Sequence, residues 1–127
     1  MKYGTQIIGS SNQQQVIYDI LDRKIVSTLG NSDIFPKPEG DVSLSPDGEW
    51  LINGYNFKTG ANVYSLLNLK TGVSLKTPSF DTGVYSKDLR IDPAPRWNHD
   101  SNQVLVSGLD SKGIRQLFIM SFIQKRV

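Results

Sequence analysis

The chain has 127 residues, 38% of them hydrophobic and 20% charged, with a formal net charge of +2. That length and balance fit a single globular domain with a modest core. The charge is too mild and too scattered for a nucleic-acid surface, the absence of cysteine excludes disulfides and thiolate metal sites, and no apolar run approaches the ~20 residues of a membrane span.

In chain order, residues 3–29 hold three strand candidates. Gly4 to Gly9 carries Thr5, Ile7 and Ile8. Gln15 to Leu21 alternates with a period of two, and Ile25 to Leu29 is rich in β-branched residues. Ser10 to Gln14 is a polar hairpin loop, and Asp22-Arg23 makes a tight turn. Gly30 to Gly40, with Pro36 and Pro38, breaks both helix and strand and reads as a linker.

Residues 41–78 read as a complete four-stranded unit: Val42 to Leu44, Trp50 to Tyr55, Asn62 to Leu69 and Val73 to Thr77. Pro46-Asp47-Gly48 and Lys70-Thr71-Gly72 are its turns. Phe80 to Leu89 is a second long connection. Residues 94–123 then give three strands of another unit: Pro95 to Trp97, Gln103 to Gly108 and Arg115 to Phe122. No stretch shows an apolar helical period of useful length.

The units repeat. Ser45 aligns with Asn98 at an offset of 53, which also places Asp47 on Asp100, Ile52 on Leu105 and Leu66 on Ile119. Backwards, Ile7-Ile8 aligns with Leu51-Ile52 at an offset of 44, and Ile17-Tyr18 with Val63-Tyr64 at an offset of 46. A four-stranded antiparallel unit recurring every ~45–50 residues is a propeller blade. The expected fold is therefore all-β, a single domain over 1–127. It holds a partial blade at 3–29, a full blade at 41–78 and a partial blade at 94–123 without its outer strand, about two and a half in all. Such a chain leaves open edges, and self-association is one way to cover them.

The turn Ser45-Pro46-Asp47-Gly48-Glu49-Trp50-Leu51-Ile52 resembles the repeat of TolB-like propellers, also called WD40-like or PD40 repeats. Trp97 to Val106 is a degenerate copy of it. Residues 89–120 look most like the last blade of oligogalacturonate-lyase-like proteins. The resemblance implies a periplasmic or extracellular setting, although the start of the chain lacks the apolar core of a signal peptide. It also implies a Gln-x-x-His-Pro-His-Pro metal motif, which falls on Leu89, Asp92, Pro93, Ala94 and Pro95. The prolines persist and the ligands do not, so the resemblance implies relatedness without metal-dependent lyase chemistry.

Other chemistry is equally sparse. His99 is the single histidine and falls at a turn. There is no Gly-x-Ser-x-Gly elbow and no phosphate loop. Asp41, Asp81, Asp88 and Asp92 are the carboxylates a hydrolytic pair would draw on, against a role in turns and caps.

No catalytic residue, metal site or cofactor is expected. The ligand-binding candidates are Arg90, Asp92, Arg96, Trp97 and Tyr85: two guanidiniums for an acidic sugar and two rings to stack on it. The competing reading pairs Arg96 with a neighbouring aspartate and buries Trp97 between blades. The leading function is a non-catalytic module that binds an acidic oligosaccharide or a protein partner. The alternative is the C-terminal part of a polysaccharide lyase or other glycan-processing enzyme whose site needs further blades.

Overall fold

The computed structural model describes residues 5–83 and 89–122. Eleven strands form three antiparallel sheets, and the described residues contain no α-helix. The first sheet is β1 (Gln6–Ser11), β2 (Gln14–Asp19) and β3 (Lys24–Leu29), in that order. The second is β4 (Asp41–Leu44), β5 (Trp50–Lys58), β6 (Ala61–Asn68) and β7 (Ser74–Lys76), with β8 (Phe80–Asp81) added to the start of β6. The third is β9 (Arg96–Trp97), β10 (Gln103–Leu109) and β11 (Arg115–Ser121). These are propeller-type blades, one complete and two partial.

Strand β8 lies where the sequence suggested only a connection. Its cause is geometric: β7 covers β6 only from Ser65 to Leu67, leaving the edge at Ala61 and Asn62 for Phe80 and Asp81 to pair with. Phe80 then packs between sheets, 5.7 Å from both the Tyr64 and Phe118 rings.

The second sheet is the centre of the stack. Every residue of β6 is buried, so the strand shows no alternation at all. Ile52, Tyr64 and Leu66 face the third sheet and meet Val104 and Val106, with Trp50, Trp97, Phe118 and Met120 around them. Leu51 and Leu67 face the first sheet, joined by Phe35, Ile8 and Leu29. A strand covered on both faces is continuous in apolar character, whereas β11 keeps its alternation because one side is bare. Leu117 and Ile119 on that side are 67% and 63% exposed. They hold the positions of Tyr64 and Leu66, which are fully buried.

The turns show the repeat in atomic detail. Ser45 Oγ accepts the Trp50 amide at 2.9 Å, and Asn98 Oδ1 accepts the Gln103 amide at the same distance. Gly48 takes φ 76°, and Ser101, 53 positions later, takes φ 60°. A non-glycine residue there carries strain. Ser101 offsets it by accepting the Asp47 amide at 3.0 Å, a bond that ties the two blades together.

The first blade departs from the expected offset. Asp19 Oδ1 caps the amides of Leu21 and Asp22, as Asn68 Oδ1 caps those of Lys70 and Thr71. Arg23 takes φ 54° where Gly72 takes 79°. The offset in this strand is therefore 49, against 44 for the strand before it, and the hairpin is five residues shorter rather than two. The cause is the two-residue turn Asn12-Gln13, both at positive φ, which closes the strands as tightly as a hairpin allows. Matching Tyr18 to Tyr64 by residue type puts it on the wrong face.

Two predictions follow from this packing. A Cβ on Gly54 would lie 2.6 Å from Pro93 Cβ and 2.8 Å from the Tyr64 ring, so Gly54→Ala is expected to cost about 1–3 kcal/mol, read as a lower urea midpoint. The second concerns Asp47. The Ser45 hydroxyl first, and the Glu49 amide second, hold its carboxyl below the ordinary value of 3.8. Its stabilising effect is present in full above that value and is lost as pH falls through the lowered one. Asp47→Asn is expected to flatten this part of the acid-unfolding curve.

Candidate functional site

Two linker segments, 30–40 and the described residues 89–95, lead into the inner strands β4 and β9 and therefore share one rim. The first is anchored by Phe35, buried between sheets, after a turn in which Asn31 Oδ1 accepts the Asp33 and Ile34 amides. Its tip is held by two buried amide side chains. Gln15 Nε2 donates to the Pro38 carbonyl at 2.6 Å, and Asn53 Nδ2 donates to the Lys37 carbonyl at 2.9 Å.

The second linker is held the same way. Asn62 Nδ2 donates to the Ile91 carbonyl at 3.2 Å, and the Tyr64 hydroxyl donates to the Pro93 carbonyl at 3.0 Å. Asp41 Oδ2 accepts the Ala94 amide at 2.9 Å across the gap between blades. Buried polar groups are seldom left without partners, so polar residues inside this core were a signal that loops are tied down above it. Burial, and secondly the charge of Asp41, push the Tyr64 phenol well above its ordinary pKa.

Between these anchors Asp92 is turned outward. Arg90 Nε sits 2.9 Å from Asp92 Oδ1, and both side chains are more than half exposed. A pair this wet contributes little to stability, at most about 1 kcal/mol. It belongs to an open groove of about 610 Å³ whose lining includes Arg90, Asp92, Ala94, Ser107, Arg115 and Gln116. An Arg115 guanidinium nitrogen donates to the Leu89 carbonyl, so the strand β11 and the linker are joined across the groove.

The sequence candidates are thus divided. Arg90 and Asp92 stand together. Arg96 is exposed in a separate recess of about 340 Å³ between β4 and β9, beside Asp41, Ser43 and Ala94. Among the described residues it makes no ion pair. Trp97 is half-buried: its indole donates to the Ser43 carbonyl at 3.1 Å and its ring lies 5.8 Å from Phe122. Tyr85 and Asp88 lie outside the described residues. Arg115 and Gln116 were not among the candidates. Their signal is positional: they open a strand at the same rim, and Arg115 shares its outward face with Leu117.

The remaining polar candidates have structural partners. Asp41 caps Ala94, Asp81 Oδ1 accepts the Gly83 amide at 2.9 Å, and Asp92 faces Arg90. His99 is exposed at its turn. At the positions of the lyase-type motif, Leu89 is 64% exposed and Ala94 contributes only its amide. Among the described residues no three histidine, cysteine, aspartate or glutamate side chains come together as a metal site, and no helix is long and apolar enough to cross a membrane.

No family model matches the chain, and no curated protein matches it. Among solved structures, it is similar to the β-propeller domain of the Trilobed protease from Pyrococcus furiosus, described as having an open velcro topology. The TM-score is 0.53 at 18% identity, over 91% of this chain. The fold is a β-propeller. The chain spans about a third of that structure's chain (34%), and at this identity the likeness concerns architecture alone.

The Tyr64 hydroxyl gives the test of this construction. Tyr64→Phe leaves the Pro93 carbonyl without its donor and is expected to cost about 1–3 kcal/mol. In the parent protein, the Tyr64 phenol is expected to stay protonated until alkaline unfolding in an ultraviolet titration, and the difference from the Phe variant is expected to report it.

Proposed function

We propose that the chain is a non-catalytic propeller module, TolB-like and glycan-associated, that binds an acidic oligosaccharide along its rim. The observation that carries this reading is the rim groove. It gathers Arg90 and Arg115 with Gln116 and Ser107, with Asp92 as the carboxylate among those side chains. Guanidinium groups recognise sugar carboxylates in a planar, bidentate manner, and flanking amide and hydroxyl groups suit sugar hydroxyls. The groove is wide and open, as for a chain ligand that lies across a surface rather than a small molecule that is enclosed. Trp97 does not line this groove: its ring packs against the core between blades and its indole donates to the Ser43 carbonyl. Arg96 is a second contact further along the same rim.

The non-catalytic reading draws on the structural roles of most rim acids. Asp41, Asp81 and Asp92 are engaged in a cap, a turn and an ion pair, while Glu39 shares a recess of about 190 Å³ with Asp41 and Asp92.

The alternative is a portion of a larger glycan-processing propeller, favoured by one observation: Leu117 and Ile119 are bare where their equivalents are buried under the next blade. Self-association through that face belongs to the same alternative. Further Ser-Pro-Asp-Gly repeats in the upstream reading frame would support it.

Titration calorimetry with oligogalacturonate tests the leading reading. Binding is expected to weaken about tenfold or more in Arg90→Ala, equivalent to ~1.4 kcal/mol, and to fall with added salt. Equal heats for the parent and for an Arg90→Ala, Arg96→Ala double variant would overturn it.

A further inference from the structure

Asp92 stands between two recesses of opposite character. On one side is the rim groove, whose charged lining is Arg90, Arg115 and Asp92 itself. On the other is the recess of about 190 Å³, where the charged lining is Glu39, Asp41, Asp92 and Lys37. Two guanidiniums against one carboxylate give the groove a positive balance, and three carboxylates against one ammonium give the recess a negative one. Lys37 is turned away from these acids, with Nζ donating to the Asn56 carbonyl at 2.7 Å.

The backbone under this divide is fixed. Asn62 Nδ2 donates to the Ile91 carbonyl and the Tyr64 hydroxyl to the Pro93 carbonyl, so the residue on each side of Asp92 is tied to the second sheet. Ile91 is buried and Asp92 is exposed, which leaves the Asp92 side chain upright between the recesses. Asp41 Oδ2 is held against the Ala94 amide, two residues from Asp92. All of this lies over the seam between the second and third sheets, where both partners are in place.

Attraction alone favours the more highly charged ligand, since the chain carries a formal net charge of +2. Asp92 works against that order. It already faces Arg90 Nε at 2.9 Å, and a ligand residue that reaches past it meets Glu39 and Asp41. Like charges at a surface repel over about a Debye length, ~8 Å at physiological ionic strength. A neutral sugar in the same place meets no such repulsion, and its hydroxyls are donors that a carboxylate accepts.

We infer that Asp92 is a specificity residue that selects a sparsely charged acidic glycan: one free carboxylate meets Arg90, and the adjoining sugar is neutral. Runs of ionised uronate are rejected by a repulsive element built into the rim. This role for Asp92 rests on the rim groove being the glycan site. The acids of the smaller recess act on the ligand by repulsion alone.

Three forms of one trisaccharide separate charge from sugar identity. They are trigalacturonate, its dimethyl ester and its uncharged trimethyl ester. The dimethyl ester carries its free carboxylate at either end, and the tighter isomer is compared. Calorimetry at low salt is expected to show the dimethyl ester binding about tenfold more tightly than trigalacturonate. The trimethyl ester, with no carboxylate for Arg90, is expected to bind most weakly. Added salt is expected to narrow the gap between the first two. Asp92→Asn is expected to bring them within about twofold of each other, with little change in melting temperature because the Arg90–Asp92 pair is so exposed.

Equal affinities, or tighter binding of trigalacturonate, would overturn the role of Asp92 and leave the groove as a glycan site. A preference that persists in Asp92→Asn, or that salt does not touch, would overturn it as well. Equal binding of the dimethyl and trimethyl esters would do the same, by assigning the preference to the methyl groups. If no form binds, the glycan reading itself falls, and this role with it.

Discussion

Burial of the second sheet on both faces is the constraint on which the rest of the structure depends. A single twisted sheet of this size has two apolar sides and cannot keep both from water by itself. Here Leu51 and Leu67 are covered from one side, and Ile52, Tyr64 and Leu66 from the other. The outer sheets need this contact as much as the central one does. Among the described residues each has one covered face and one bare face, and each has one strand fewer than the four-strand path of the central sheet. Stability in such a stack resides in the seams between neighbours more than in the strands themselves.

The same arrangement places the polar chemistry. Because the core runs through the middle of each sheet, the linkers must cross above it, and their backbone groups need partners. Gln15, Asn53, Asn62 and Tyr64 reach up from buried positions to supply them. Gly54 leaves room for Pro93 directly over the Tyr64 ring. The outcome is a rim whose backbone is fixed while its charged side chains, Arg90, Asp92 and Arg96, are free to face solvent.

Much of the fold was legible in the sequence because its turns are chemically specific. Ser45-Pro46-Asp47-Gly48 announces a tight turn wherever it occurs, and the β-branched residues of β3 mark a strand. The register of the first blade was harder. Residue similarity drew Tyr18 toward Tyr64, while hydrogen-bond parity, which depends on the length of a turn rather than on residue type, sets it elsewhere. Strand β8 was hidden because two residues carry no period.

The site was legible in part for a similar reason. Arg90 and Asp92 lie close in sequence and stay close in space. Arg115 joins them only because β11 folds back beside the linker, a relation that no local pattern records. Trp97 suited a stacking surface or a seam residue by type alone, and its indole nitrogen reaches the Ser43 carbonyl.

Three hydrogen bonds cross between the second and third sheets at different heights: Asp47 to Ser101, Trp97 to Ser43 and Ala94 to Asp41. They run along β4, β9 and the segments flanking them, so the inner strands of these two blades are held side by side at three points. A seam pinned along its inner margin opens, when it opens, from its outer one. Ser101 therefore does more than tolerate an awkward backbone: its hydroxyl closes one end of that inner margin.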